Sequence, residues 1–417
     1  MSPNPWNPAR WKPLFFGIWG GQAFSLVGSQ LVQFALVWWL TKTTGSATVL
    51  ATATMMALLP QILVTPFAGT LVDRWNRRWV MVGADATIAA ATVGLAILFA
   101  LGAVRVWHVY LLMLVRSAGG AFHWPAMQSS TTLMVPKRHL ARIGGLNQSL
   151  FGLANIISPP LGALLLEVLP MQGVLAVDVV TALIAIVPLL LVGIPLPVRA
   201  ASGRGMRAVF SDMATGLRFA LGWRGLTLII GVAALINLLV HPAVSLQPLL
   251  VTAHFGGGAL QLAYLESAFG VGVILGGLLL SAWGGFRRRV ITAFLALALE
   301  GVAFALVGLT PATAFYFAVG AMLVVGLMNS ASNGSFLAIL QGTVPPEIQW
   351  RVLSLLMSGV MAVTPLGLAI AGPVADMFGV RIWYVVSGAT MAVAGALAFF
   401  VPALMELESR SQPQGSR

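Results

Sequence analysis

Residues Gly69–Arg78 read GTLVDRWNRR. Long apolar runs flank this stretch, which gathers one carboxylate, Asp73, and three arginines, Arg74, Arg77 and Arg78. In a chain with only 8% charged residues, such a knot marks a place where two hydrophobic segments are joined outside the hydrocarbon. The join is only a few residues long, so its turn has to be tight. Of the non-glycine residues Asn best tolerates a left-handed backbone, so a tight turn can be made at Asn76.

Working outward, 59% of the 417 residues are hydrophobic and the mean hydropathy is +0.93, which leaves too little polar surface to wrap a soluble globule of this size. The formal charge of +12 would suit a nucleic-acid binder, but the basic residues fall between apolar runs, so no nucleic-acid partner is expected. The absence of cysteine excludes disulfides, thiolate chemistry and Cys-based metal sites. Met1–Pro13 is polar, and the apolar run after it is too long for a signal peptide and lacks a small-residue cleavage site; it is expected to be an uncleaved first span.

About 20 apolar residues cross a bilayer. On that measure twelve spans are expected, near 14–40, 47–71, 79–102, 107–134, 140–167, 172–193, 223–252, 260–283, 289–309, 313–341, 349–375 and 380–403. Of the 23 Lys and Arg, Lys42, Arg105 and Arg381 lie in connections on one side and Arg116 within a span; all the others lie on the side of the N-terminus. Both termini are therefore expected to be cytoplasmic. The second half repeats the first: Gly277, Leu279, Trp283, Gly284 and Arg287–Arg289 echo Gly69, Leu71, Trp75, Asn76 and Arg77–Arg78, with Ser281 in place of Asp73. The expected organisation is a six-span bundle over 1–194, a cytoplasmic linker over 195–222, a second six-span bundle over 223–404 and a tail over 405–417. Within the linker, Val209, Met213, Leu217 and Ala220 share one helical face, which is either an amphipathic surface helix touching membrane lipid or an ordered linker.

The opening stretch resembles the loop between helices 2 and 3 of the major facilitator superfamily, Gly-x-Leu-x-Asp-Arg-x-Gly-Arg-Arg. Gly69, Leu71, Asp73, Arg74, Arg77 and Arg78 match, and Asn76 replaces the second glycine. The runs WGGQAFSLVGSQLVQFALVWWLT from Trp19, KTTGSATVLATATMMALLPQILVTPFAGTLVDR from Lys42 and RSAGGAFHWPAMQSSTTLMVP from Arg116 resemble the macrolide efflux branch of that superfamily. The resemblance implies an all-α membrane protein with two pseudo-symmetric six-helix bundles, sitting in the bacterial cytoplasmic membrane as a monomer. It also implies no cofactor, a proton gradient as the energy source, and a small amphiphilic substrate exported by alternating access. A lysophospholipid or siderophore transporter on the same scaffold, or a non-transporting membrane sensor, stays open. An enzyme is not expected, since no phosphate-binding loop, metal-spaced cluster or activated nucleophile is present.

The family fold puts spans 1, 4, 7 and 10 around the cavity. Polar residues recur on them at helical spacing: Gln22, Ser25, Ser29 and Gln33; Arg116, His123 and Met127; Asn237, His241 and Ser245; Asn329, Asn333 and Phe336. They either line a wet substrate cavity or bond helix to helix. Arg116, in LMLVRSAGGA, resembles the fourth-helix arginine associated with proton coupling, with Gly119 where that motif has Gln. A cation at that depth costs roughly 2.5–3.5 kcal/mol and needs a partner, water or a role, the alternative to proton coupling being a structural Arg116 paired to the glutamines of span 1. Asp178 lies at matching depth and is the first expected proton carrier, with Glu266 second. Asp85 is expected near Arg77 or Arg78, and with Gly69, Asp73, Arg74 and Arg351 it makes up the expected gate. Glu300 is expected in a structural hydrogen bond or at the lipid interface. His123, His241 and His254 have neither metal-ligand spacing nor a supporting carboxylate in sequence, so no metal site is expected.

Overall fold

The computed structural model describes residues 11–72, 75–194, 222–344 and 346–405. Asp73, Arg74, the expected amphipathic linker helix and the side chain of Arg351 lie outside that description. Among the described residues the structure is helical, with no strand. The long helices are α1 (Trp11–Thr44), α2 (Ala47–Val72), α3 (Arg77–Ala100), α4 (Val106–Met134), α5 (Leu140–Val168) and α6 (Met171–Leu191), then α7 (Arg224–Ser245), α8 (Ala259–Trp283), α9 (Arg289–Leu309), α10 (Phe315–Thr343), α11 (Pro346–Phe378) and α12 (Arg381–Ala398). Eleven of them are long and apolar enough to cross a membrane. The exception is α4, which has the length but carries Arg116, two histidines and a run of hydroxyl residues. The seventh span is shorter than expected. Its helix stops at Ser245, and a three-residue helix, Gln247–Leu249, and a π-turn, Leu250–His254, continue the chain. Pro248 has no N–H to give the preceding turn, so one ladder bond is missing where the chain leaves the regular helix.

At the first tight turn Asn76 does not use its tolerance of a left-handed backbone. Its backbone is extended (φ −71°, ψ 108°), and its side chain accepts a 3.1 Å hydrogen bond from the Arg78 N–H, so it caps the N-terminus of α3. The repeat solves the same turn differently: Gly284, the counterpart of Asn76, has φ 78° and ends α8 in the left-handed region.

The chain divides into one unit of residues 1–43 and 52–205 and a second of 44–51 and 206–417. The first turn of α2 thus groups with the second unit, for a visible reason. Asp376 Oδ1 accepts from the Ala47 N–H at 3.1 Å and Oδ2 from Thr48 Oγ1 at 2.8 Å. Gly372 lets the backbone come close: a Cβ there would lie 2.4 Å from Thr48 Cα. Asp376 therefore satisfies an orphan donor at a helix start and places a negative charge at the positive end of the dipole. Asp376→Ala should weaken the start of α2 by about 1 kcal/mol, seen as roughly fivefold faster amide exchange at Ala47–Leu50. Unchanged exchange there would remove the capping role.

In the first unit, α3 packs on α4 and α6. Buried Arg77 donates from Nη1 to the Ser129 carbonyl at 3.1 Å, and Arg78 donates to the Leu190 carbonyl, so both arginines tie the start of α3 to neighbouring helices. In the second unit, α8 packs on α10, and α9 packs on α12 and α10. Glycines set the closest approaches: a Cβ at Gly276 would lie 2.3 Å from the Leu327 carbonyl oxygen, and one at Gly326 would lie 2.1 Å from that of Phe269. With little hydrophobic drive between helices in lipid, such backbone-to-backbone contact supplies the dispersion that holds them.

Candidate functional site

Within the first unit, α1 to α5 surround a cavity of about 640 Å³. From the expected set, Gln22, Ser25, Ser29 and Gln33 of α1 and Arg116, His123 and Met127 of α4 line it. Gln61 of α2, Asp85 of α3 and Asn147 of α5 line it too, although spans 2, 3 and 5 were not expected to contribute. Trp19 Nε1 donates to Asn147 Oδ1 at 2.8 Å, joining α1 to α5 at the cavity wall.

Two polar centres stand at different depths in this unit. At the first, Arg116 and Asp178 do meet: Nη1 lies 2.5 Å from Oδ2. Arg116 Nη2 also donates to the Ser29 carbonyl at 2.9 Å. Asp178, on α6 and only 2% exposed, accepts further hydrogen bonds from Ser29 Oγ at 3.2 Å and Thr92 Oγ1 at 3.3 Å. A buried charge is tolerated when it is paired and its remaining lone pairs are bonded, and that is the arrangement here. Thr92 was missed by the sequence reading. At Gly119, the departure from the antiporter motif, a Cβ would lie 2.8 Å from Ile88 Cδ1, so a larger residue there would require Ile88 to shift.

The second centre corrects the placement of Asp85. Expected at the gate beside Arg77 or Arg78, it instead lines the cavity, with Oδ2 accepting from Gln22 Nε2 at 3.3 Å and Oδ1 3.4 Å from His123 Nε2. The His123 contact has ion-pair distance but not the direction of a hydrogen bond. His123 therefore does have a carboxylate beside it, contrary to the sequence expectation. One signal could have located both centres. Gln22 and Ser29 on α1, Asp85 and Thr92 on α3, and Arg116 and His123 on α4 are each seven residues apart, two helical turns or about 10 Å. Neighbouring helices that carry such pairs in alternating direction bring them together at two levels.

In the second unit the expected cavity residues are engaged with their own helices or with neighbours. Asn237 Oδ1 lies 3.1 Å from His241 Nε2, and Ser245 Oγ donates to the Pro242 carbonyl at 2.9 Å. Asn329 Nδ2 donates to Glu300 Oε1 at 2.8 Å, and Asn333 Nδ2 donates to the Asn329 carbonyl at 3.0 Å. Phe336, partly buried, packs edge-on to Phe294, 5.1 Å between centroids, against a hydrophobic cluster. Glu266 lies on α8. His254 bonds to the Thr310 carbonyl at 2.8 Å. Of the gate set, Gly69 falls in the last turn of α2 and Arg77 and Arg78 open α3, while Asp73, Arg74 and the Arg351 side chain lie outside the described residues.

Among the described residues, twelve long helices in two units, with a polar cavity in the first, define a multi-pass membrane transporter of the major facilitator fold. Solved structures agree. A bacterial homologue of the human lysosomal transporter Spinster, inward-facing and unoccupied, is similar at TM-score 0.66 and 15% identity, over 97% of this chain and 98% of that one. A nucleoside transporter is similar at TM-score 0.66 and 14% identity, over 93% and 99%. More particularly, the chain belongs to the transmembrane secretion effector family, whose model matches residues 3–416. It is 34% identical over 382 residues to a macrolide efflux protein A of Streptococcus pyogenes, covering 91% of this chain and 93% of the relative. It is 27% identical over 401 residues to the multidrug efflux pump Tap of Mycolicibacterium fortuitum, covering 93% and 95%. The relatives are efflux transporters and not enzymes.

Proposed function

We propose that this protein exports macrolide-like amphiphilic compounds across the cytoplasmic membrane by proton antiport, through alternating access of the two units. The observation that carries the reading is the first-unit cavity. Its volume lies within the roughly 300–1,000 Å³ typical of drug-sized sites, and its wall mixes apolar side chains such as Leu26, Met113 and Phe151 with a few convergent polar groups. An apolar body can be buried there while amide and hydroxyl groups orient it. The efflux relatives supply the substrate class. In this reading Asp178, paired to Arg116, is the first candidate proton carrier and Glu266 the second, and Asp73, Arg74, Arg77, Arg78 and Arg351 are the residues of the cytoplasmic gate.

Expression in a pump-deficient bacterial host should lower macrolide accumulation several-fold, and an uncoupler should abolish the difference. Accumulation unaffected by the uncoupler would remove proton antiport, and unchanged accumulation of macrolides and other amphiphiles would remove the export reading.

A further inference from the structure

We infer that the cavity takes its amphiphile as a glycoside, and that the wall formed by α4 and α5 holds the sugar, with Trp124 and Phe151 against its ring and Gln128 and Gln148 on its hydroxyls. The inference rests on the export reading above and names the substrate chemistry of that cavity. Its basis is an excess of uncharged hydrogen-bonding groups. Four carboxamides that line the cavity, Gln33, Gln61, Gln128 and Gln148, have no hydrogen-bond partner among the described residues. Ser117, on the same wall, has its Oγ buried and unbonded, which is rare enough in folded chains to point at what enters the cavity.

Each carboxamide offers two donors and an acceptor side by side. A ligand that displaces water from such groups keeps its affinity only by making both kinds of bond. A lactone or ketone brings acceptors alone and leaves the carboxamide oxygens unmet. Adjacent hydroxyls both give and accept, so a vicinal diol matches the edge of a carboxamide. Position selects two of the four. Trp124 of α4 and Phe151 of α5 meet edge-on, 4.9 Å between centroids, and both line the cavity. Trp124 is 41% exposed, so ring surface remains open. Gln128 follows Trp124 by four residues, and Gln148 precedes Phe151 by three. The chain turns back between α4 and α5, so both carboxamides stand one helical turn, about 5 Å, from the aromatic pair, on the side of the connection. A sugar has the same two characters at the same scale. Its C–H bonds lie on the electronegative face of the Trp124 ring, and the hydroxyls at its rim reach the carboxamides. The apolar remainder of the substrate packs on Leu26 and Met113.

The test measures binding to the purified full-length chain in lipid nanodiscs, free of sugar-headed detergent, with two uncharged macrolides. One is erythronolide B, the bare lactone ring, and the other is the same ring carrying the neutral sugar mycarose. The mycarosyl compound should bind at least about tenfold more tightly. Gln128→Leu and Gln148→Leu should each weaken it about fivefold and leave the bare ring within about twofold, which also shows that the variants are folded. Equal affinity of wild type for the two compounds would overturn the sugar site while leaving export intact. So would an equal loss of both compounds in the leucine variants and in the length-matched Gln128→Met and Gln148→Met, or no loss in any of the four. If wild type binds neither compound, nor erythromycin, the export reading fails and this inference with it.

Discussion

Replacing Asp178 by asparagine should lower the stability of the protein by about 3–5 kcal/mol and abolish transport, because it leaves the Arg116 guanidinium buried without a counter-charge. Arg116 is 10% exposed and Asp178 2%, so neither can recover its hydration. Arg116→Gln should do comparable damage from the other side. The double variant Arg116→Gln/Asp178→Asn removes both charges and should regain most of the lost stability without regaining transport. Thermal unfolding of the four proteins in detergent measures the coupling directly. Additive losses, with the double variant worse than either single one, would mean the two groups do not sense each other.

The second large effect comes from two adjacent glycines with opposite expectations. At Gly276 a Cβ would meet the Leu327 carbonyl oxygen at 2.3 Å and Leu327 Cα at 2.9 Å; both are backbone atoms that cannot rotate away. Gly276→Ala must therefore push α8 off α10, at a cost above the roughly 1–3 kcal/mol of ordinary overpacking. At Gly277 the nearest atom is Ser330 Oγ, 3.3 Å away, on a side chain that can turn. Gly277→Ala should be neutral, or stabilising by up to about 1 kcal/mol through helix propensity. Folded yield and melting temperature of the two variants decide it. Similar behaviour would show that the close approach of α8 and α10 does not hold the second unit together.

The helices were legible because their signal is local. Apolar runs of span length set α1 to α12 within a few residues, and the exception, the interrupted seventh span, had Pro248 in plain view. The Gly69–Arg78 stretch announced the family through residues only a few positions apart. The partnership of Arg116 with Asp178 was also within reach, since a buried cation needs a counter-ion and few acids share its depth. Asp85 was misplaced for the opposite reason. Its distance along α3 from Arg77 and Arg78 is short, yet its rotation about the helix axis turns it to α1 and α4, and no pattern on α3 alone reports which neighbour occupies that face.

The sequence by itself determined the membrane class, the number and order of spans, the repeat and the family, because length, hydropathy and a contiguous motif are properties of the chain read in one dimension. Only the tertiary structure decided that Asn76 caps a helix instead of turning left-handed, that Phe336 packs edge-on to Phe294, that Asp376 caps α2 from α11, and that Asp85 and His123 face one cavity. Each of these depends on which faces of separate helices meet, and that is set by close packing between segments far apart along the chain.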